Sequence, residues 1–446
     1  KLNTLFLFFM EEFLINIGDS LPVRRCFRNW ISEKLFLEDA EIKEFIEDVV
    51  QSKNVELFWQ DEILVSVLFS NYSQYFFGLF KDELLVNNQN LLKRLTFIIR
   101  IACKEVDDNL FKQLGIESVN LFSLKYILTK PKGKGWESLI KFIFDNIEVI
   151  GLNNINFIIP LIYDWNDKNR KGQTTRISSL IALQYYESMT RNNTHFSDQD
   201  LKDKLLKTIL YGSCEISEDL KIIFDQIIQN KWTNYRDPYF DLSCRILTQL
   251  EGIEACKALP QYVLKFANLF WFKISNNNDD NLDYLKVREK IYCITERDEF
   301  RYFPSSAFQT PIFWLLQFDF KSTIDFILDF TNNCVLSFVK NTGEEYFYKS
   351  TVKLKEEKIQ YSNDELWRIF RGANNAPDLL KSMHMALEKY FLERGKDFES
   401  GTLSSLLLYL LQNSISASIS AVVSSIVMAF PDKTFDVAQI LFQTKD

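Results

Sequence analysis

Apolar residues recur three or four positions apart along nearly the whole chain. ELFWQDEILVSVLFS (56–70), NLLKRLTFIIRIACKE (90–105), GWESLIKFIFDNIEVI (135–150), EDLKIIFDQIIQNK (218–231) and STIDFILDFTNNCVLSFVK (322–340) all show it. That spacing gathers apolar side chains on one face of a helix, so each stretch predicts a half-buried helix. Short polar connections separate them, and about twenty such helices are more than a single bundle organises. The pattern therefore predicts an all-α fold, an irregular α-solenoid-like array of stacked helical hairpins. No strict repeat period is visible, which argues against a regular tetratricopeptide array.

Two departures from this rhythm matter. Residues 345–362 alternate apolar and polar, with Val352 and Leu354 answered by Ile359 and Tyr361 across a charged turn. This is the one place where a β-hairpin is expected. Residues 403–430, LSSLLLYLLQNSISASISAVVSSIVMAF, hold no charge and are long enough to span a bilayer. They also hold eight serines, with Gln412 and Asn413 near the middle. Two buried helices, about 402–412 and 416–430, broken near 413–416, explain them better than membrane insertion. Softer boundaries at TKPKGKG (129–135) and SNNNDDN (275–281) suggest three segments: 1–130, 131–275, and 276–446 carrying the hairpin.

The stretch LWRIFRGANNAPDLLKSMHMALEKYFL (366–392) is dense in reactive residue types. Ser362 followed by Glu365 reads as a capping box, and Gly372 as a left-handed cap. Asn375 can cap the next helix, with Pro377 in its first turn. Leu379, Leu380, Met383, Leu387, Tyr390 and Phe391 then share one face, with His384 at its edge. Met385 and Leu392 form a second apolar strip opposite. Two apolar faces predict a helix wedged between neighbours.

Composition narrows the function classes. Only 13 glycines and 9 prolines punctuate 446 residues, against a sandwich, a barrel or disorder. The net charge of −8 argues against nucleic acid as a partner, since phosphate binding needs a concentrated basic surface. The lysines at 130, 132 and 134 read as a solvated loop. Seven cysteines without a C-x-x-C pair are expected as reduced, mostly buried thiols of a cytoplasmic protein. The opening KLNTLFLFFMEEFL is interrupted by Glu11 and Glu12 and lacks a cleavage site, so it is not read as a signal peptide. Without an initial Met, the chain is expected to be part of something longer.

Motifs for chemistry are scarce. Neither KPKGKGWES nor NRKGQTT satisfies the phosphate-cradling pattern G-x-x-x-x-G-K-[ST]. Only His195 and His384 are present, and neither has a Cys or a second His at ligand spacing. DWNDKNRKGQ (164–173) fails as a calcium loop, because Lys168 takes a ligand position. Asp279, Asp280 and Asp283 match the D-D-x-x-D of terpenoid synthases, in which carboxylates hold magnesium. Acidic residues at a helix start explain them more simply, and no second metal motif follows.

SLPVRRCFRNWI (20–31), FWQDEILVSVLFS (58–70), ACKALPQYVLKFANLFW (255–271), RYFPSSAFQTPIFWLLQFDFKSTIDFILDFTN (301–332), the 366–392 stretch and SISASISAVVSSIVMAFP (414–431) together resemble the long helical region of large bacterial STAND-type ATPases of the Avs antiphage class. In that family, helical repeats recognise a phage protein, and recognition drives oligomerisation and activates an effector. The resemblance implies a non-catalytic sensor or scaffold that binds a protein ligand, possibly viral, and passes the signal to an ATPase elsewhere in the polypeptide. It implies no catalytic residue, metal or cofactor here, and it leaves homo-oligomerisation open. Arg301, Tyr302 and Arg371 are the candidate partner anchors, with helix capping and core packing as their simpler roles. The alternatives are an all-α enzyme, using Asp279, Asp280 and Asp283 or an α/α-toroid glycosidase, and a generic helical-repeat adaptor.

Overall fold

The structure is a computed structural model that describes residues 78, 99 and 135–444, apart from 152–153, 192–197, 249, 273–286, 296–301 and 373–375. The predicted helices over 56–70 and, except for Ile99, over 90–105 lie outside the described residues. So do the segment boundaries expected at 130/131 and 275/276. The chain divides into two compact units, Lys1–Ile216 and Ser217–Asp446. The fold is all-α: seventeen α-helices and one two-stranded antiparallel sheet stand among the described residues. None of those helices is long and apolar enough to cross a membrane.

In the first unit, α1 (Gly135–Asp145) and α2 (Ile147–Ile150) split the stretch expected as one helix. Asn146 makes the break: its side-chain amide donates to the Phe142 carbonyl at 3.0 Å, competing with the backbone ladder. Helices α3 (Ile155–Lys168), α4 (Gln173–Arg191) and α5 (Gln199–Tyr211) then pack against one another in pairs. One buried polar pin fastens all three. Asn166 Nδ2 donates to Ser179 Oγ and to the Thr208 carbonyl, each at 2.9 Å, and Ser179 Oγ donates to the Thr175 carbonyl at 2.8 Å. Gly212, after α5, lies directly on this pin: a Cβ there would fall 1.8 Å from Ser179 Oγ.

In the second unit, α6 (Ser217–Asn230) packs on α9 (Pro260–Trp271), with Phe224 edge-on to Phe266 at 4.7 Å. Between them in sequence come α7 (Phe240–Thr248) and α8 (Ile253–Ala258). After α10 (Val287–Ile291), α11 (Ile312–Phe318) and the long α12 (Phe320–Thr342) lead into β1 (Tyr348–Val352) and β2 (Lys358–Ser362). The hairpin is where alternation predicts it, but its register differs. Ile359 pairs with Thr351, Tyr361 with Lys349, and Leu354 lies in the turn. Ser350, Val352 and Gln360 are the buried positions, while Ile359 points outward, because the inner face docks on polar groups.

Next come α13 (Asp364–Arg368), α14 (Asp378–Arg394), α15 (Ser400–Asn413), α16 (Ala417–Ala429) and α17 (Phe435–Phe442). Residues 403–430 therefore form two helices broken at 414–416, as expected. The cap of α13 is Asn363, which accepts from Leu366 N at 2.8 Å, and not Ser362, which is held in β2. Gly372 is left-handed at φ 68°, as predicted, while Asn375 lies outside the described residues. Pro377 stands just before α14 and not inside its first turn. Helix α14 is wedged between α11 and α16. However, its buried arc is one continuous band through Ser382, Ala386, Met383, Leu387, Leu380 and His384. The predicted opposite strip is not covered: Met385 is half-buried and Leu392 exposed.

Gly212→Ala is expected to cost roughly 1–3 kcal/mol, because the added methyl displaces Ser179 from its hydrogen bonds. Thermal unfolding of the single variant and of Gly212→Ala with Ser179→Gly checks this: the second change is expected to relieve part of the loss.

Candidate functional site

His384 is the most chemically suggestive residue that the structure places. It is fully buried on α14, facing α16. Its Nδ1 lies 2.7 Å from the Leu380 carbonyl, which can only accept, so Nδ1 carries the proton. Nε2 is then a bare acceptor, and Ser418 Oγ donates to it at 3.1 Å. Ser416 Oγ donates to Ser418 Oγ at 2.8 Å, and Ser418 N donates back to Ser416 Oγ at 3.2 Å. The seam continues through Ser420 Oγ, which donates to Gln360 Oε1 at 2.6 Å, and Gln360 Nε2, which donates to the Ser414 carbonyl at 3.2 Å.

A serine donating to a neutral histidine is the arrangement that activates nucleophiles. Here the pair is sealed. His384, Ser416 and Ser418 are all fully buried, and neither groove of the unit described below includes them. What the arrangement does is satisfy polar groups inside an apolar contact between helices. Burial pushes the His384 pKa down to about 4, against the smaller upward pull of the Leu380 carbonyl.

The surface of the same unit carries the exposed aromatics. Residues 302–311 lie over α14, fastened by Ser306 N donating to Ser382 Oγ at 3.2 Å and by Ser305 Oγ donating to Asp378 Oδ1 at 3.3 Å. This segment holds Phe303 77% exposed and Phe308 45% exposed. Phe308 meets Phe313 edge-on at 5.1 Å, and Lys389 Nζ stands 5.2 Å over the Phe308 ring. A groove of about 570 Å³ adjoins it, lined by Phe313, Trp314, Tyr390 and Leu392, with Glu393 and Arg394 at its rim. A second groove of about 480 Å³ lies between α9 and α12 and is more polar, with Lys265, Asn268, Asp325 and Asp329.

The three anchors anticipated from sequence fare differently. Tyr302 is not a surface residue. It is buried, accepts a hydrogen bond from Trp271 Nε1 at 2.7 Å, and stacks edge-on against that indole at 6.0 Å. Burial holds its hydroxyl well above the usual phenol range. Arg371 is exposed, its guanidinium 5.2 Å from the Phe370 ring centre. Arg301 lies outside the described residues, as do His195, Asp279, Asp280 and Asp283. Sequence reasoning passed over Phe303, Phe308 and Trp314; their signal was the aromatic density of RYFPSSAFQTPIFW across a proline-broken loop.

Cys256 and Cys334 are buried, and Cys214, Cys244 and Cys293 half-buried, all as free thiols. Burial raises the Cys256 thiol to about 12, leaving it inert. Among the described residues no group of three or more His, Cys, Asp or Glu is placed to hold a metal. Comparison with protein-family models and with curated proteins finds no match.

Two outcomes are expected. Tyr302→Phe leaves a buried indole N–H without its acceptor, so chemical denaturation is expected to show a loss of about 1–3 kcal/mol. For His384, the unfolded chain gains a proton near pH 6.5 but the folded chain only near pH 4. Stability present above pH 6.5 is therefore lost as the pH falls towards 4, by about 3 kcal/mol at most. Urea titrations at pH 7.5 and 4.5 are expected to differ by clearly less in His384→Gln.

Proposed function

We propose that this chain is a non-catalytic helical scaffold that binds a protein ligand. The observation that carries the reading is the pinned aromatic surface: Phe303 and Phe308 project from a segment tied by side-chain hydrogen bonds to α14. Rigid exposed aromatics beside a cation are the groups that dominate protein–protein contacts, because they bury much apolar area at little entropic cost. Lys389, over the Phe308 ring and ion-paired with Glu393, is that cation, and the exposed Arg371 is a further positive charge on the same unit. The aromatic groove beside them has the form of a receptor for a further apolar side chain.

The resemblance to Avs-class STAND ATPases extends this reading to its biological setting. The ligand is a viral protein, and its contact with the helical region biases an ATPase elsewhere in a longer polypeptide. Physically, that bias equals the difference in ligand affinity between the two states of the assembly.

The experiment is affinity capture of the tagged chain from phage-infected cells, beside a Phe303→Ser/Phe308→Ser variant. Recovery of a specific viral protein is expected with the parent chain and about tenfold less with the variant, whose circular dichroism should be unchanged and whose melting temperature should fall only by the loss of the Phe308–Phe313 contact. Equal recovery by both, or recovery of no viral protein by either, contradicts the reading.

A further inference from the structure

Helix α10 ends in a turn that glycine normally makes, and here a cysteine makes it. Cys293 N donates to the Lys290 carbonyl at 3.1 Å and Ile294 N to the Glu289 carbonyl at 2.8 Å, the paired bonds of a Schellman cap. That cap needs a left-handed residue, and Cys293 supplies it at φ 54°. Glycine adopts this conformation without strain, whereas a residue with a Cβ does not. The turn alone therefore does not account for a cysteine at this position.

The same turn lies across α12 in a fixed register. Asn341 Nδ2 donates to the Ile291 carbonyl at 2.9 Å, and the Tyr292 ring stacks on Phe338 at 4.4 Å. Ile294 is bridged to Phe272, whose ring meets Phe330 edge-on at 6.3 Å. Residues 291, 292 and 294 thus stand at the levels of 341, 338 and 330. The level left for Cys293 is that of Cys334, one turn from both Phe338 and Phe330 on the same face of α12. Cys334 is fully buried; burial first, and then its neighbour Cys293, hold its thiol well above the usual range. Cys293 is half-buried, so it is the more accessible of the two.

We propose that Cys293 and Cys334 are a redox pair that closes into a disulfide under hydrogen peroxide, tying the α10 turn to α12. The deprotonated Cys293 sulfur attacks one peroxide oxygen: an S–O bond forms, the O–O bond breaks, and the departing hydroxide takes up a proton as water. The Cys334 sulfur then attacks the Cys293 sulfenic acid. An S–S bond forms, the S–O bond breaks, and the hydroxide leaves as water with the Cys334 proton. Two thiols are oxidised, and one peroxide is reduced to two waters. Burial keeps Cys334 from meeting peroxide itself, which fixes the order of the steps.

The test treats the 446-residue chain with hydrogen peroxide, alkylates the remaining thiols and maps unreduced peptides by mass spectrometry. A peptide pair joined through Cys293 and Cys334 is expected, and dithiothreitol should separate it. The melting temperature should rise on oxidation and return on reduction, because the cross-link constrains the unfolded chain. Cys293→Gly should abolish both the cross-link and the rise, while the reduced variant stays about as stable as the parent, since glycine suits the left-handed turn. That combination separates a redox role from a structural one. The proposal is overturned if peroxide leaves Cys334 a free thiol, carries Cys293 on to a sulfinic acid without a cross-link, or joins either cysteine only to a different one.

Discussion

An uncharged run of helix that must break inside a protein leaves backbone N–H and C=O groups with nowhere to go except neighbouring elements. The break at 414–416 is the constraint around which the second unit is arranged. Asn332 of α12 reaches across with both ends of its amide, donating to the Asn413 carbonyl at 2.9 Å and accepting from Ile415 N at 3.0 Å. Tyr361 N of β2 donates to the Ile415 carbonyl at 2.8 Å, and Gln360 covers the Ser414 carbonyl. Ser416 then caps α16, and Ser418 hands the chain of hydrogen bonds on to His384. A long helix, a hairpin and the wedged α14 are thus all registered against one interruption. Leaving one of the buried groups here, at Ser414, Ser416, Ser418, Gln360 or His384, unpaired costs about 1–3 kcal/mol, more than a typical surface contact contributes.

This explains which features were readable in the chain and which were not. The helices over 218–231 and 322–340, the hairpin near 345–362 and the break at 413–416 follow from local periodicity and composition, and local rules suffice to place them. Partner choice follows from tertiary structure. The serines of 414–420 count in the sequence only against a membrane span, yet Ser416, Ser418 and Ser420 donate and accept hydrogen bonds to groups distant in the chain or across the break. Ser362 and Asn363 are equally good caps by residue type; pairing of Ser362 with Tyr348 in the sheet leaves the cap to Asn363. Val352 and Leu354 alternate as a core strand should, but the inner face of the hairpin is chosen by Gln360, whose partners lie more than fifty residues downstream.

The candidate site shows the same division. Tyr302 looked like an anchor because it sits beside an arginine and before a proline, but Trp271, thirty-one residues away, claims its hydroxyl. Arg371 stays outside because Gly372 turns the chain directly after it. Phe303 and Phe308 were legible only as aromatic density, since nothing local distinguishes a ring that packs from one that is presented. His384 and Ser418 form the pair that most resembles catalytic machinery, and their burial commits them to holding helices together.

The central claim is that the 414–416 break, β2 and the buried arc of α14 form one cooperative block. Native-state hydrogen exchange, resolved along the chain, measures this directly. The account predicts that amides of 360–361, 380–387 and 418–423 open together, with a single exchange free energy close to that of global unfolding. Exchange of β2 or α16 by a separate local opening, several kcal/mol cheaper than α14, would contradict it.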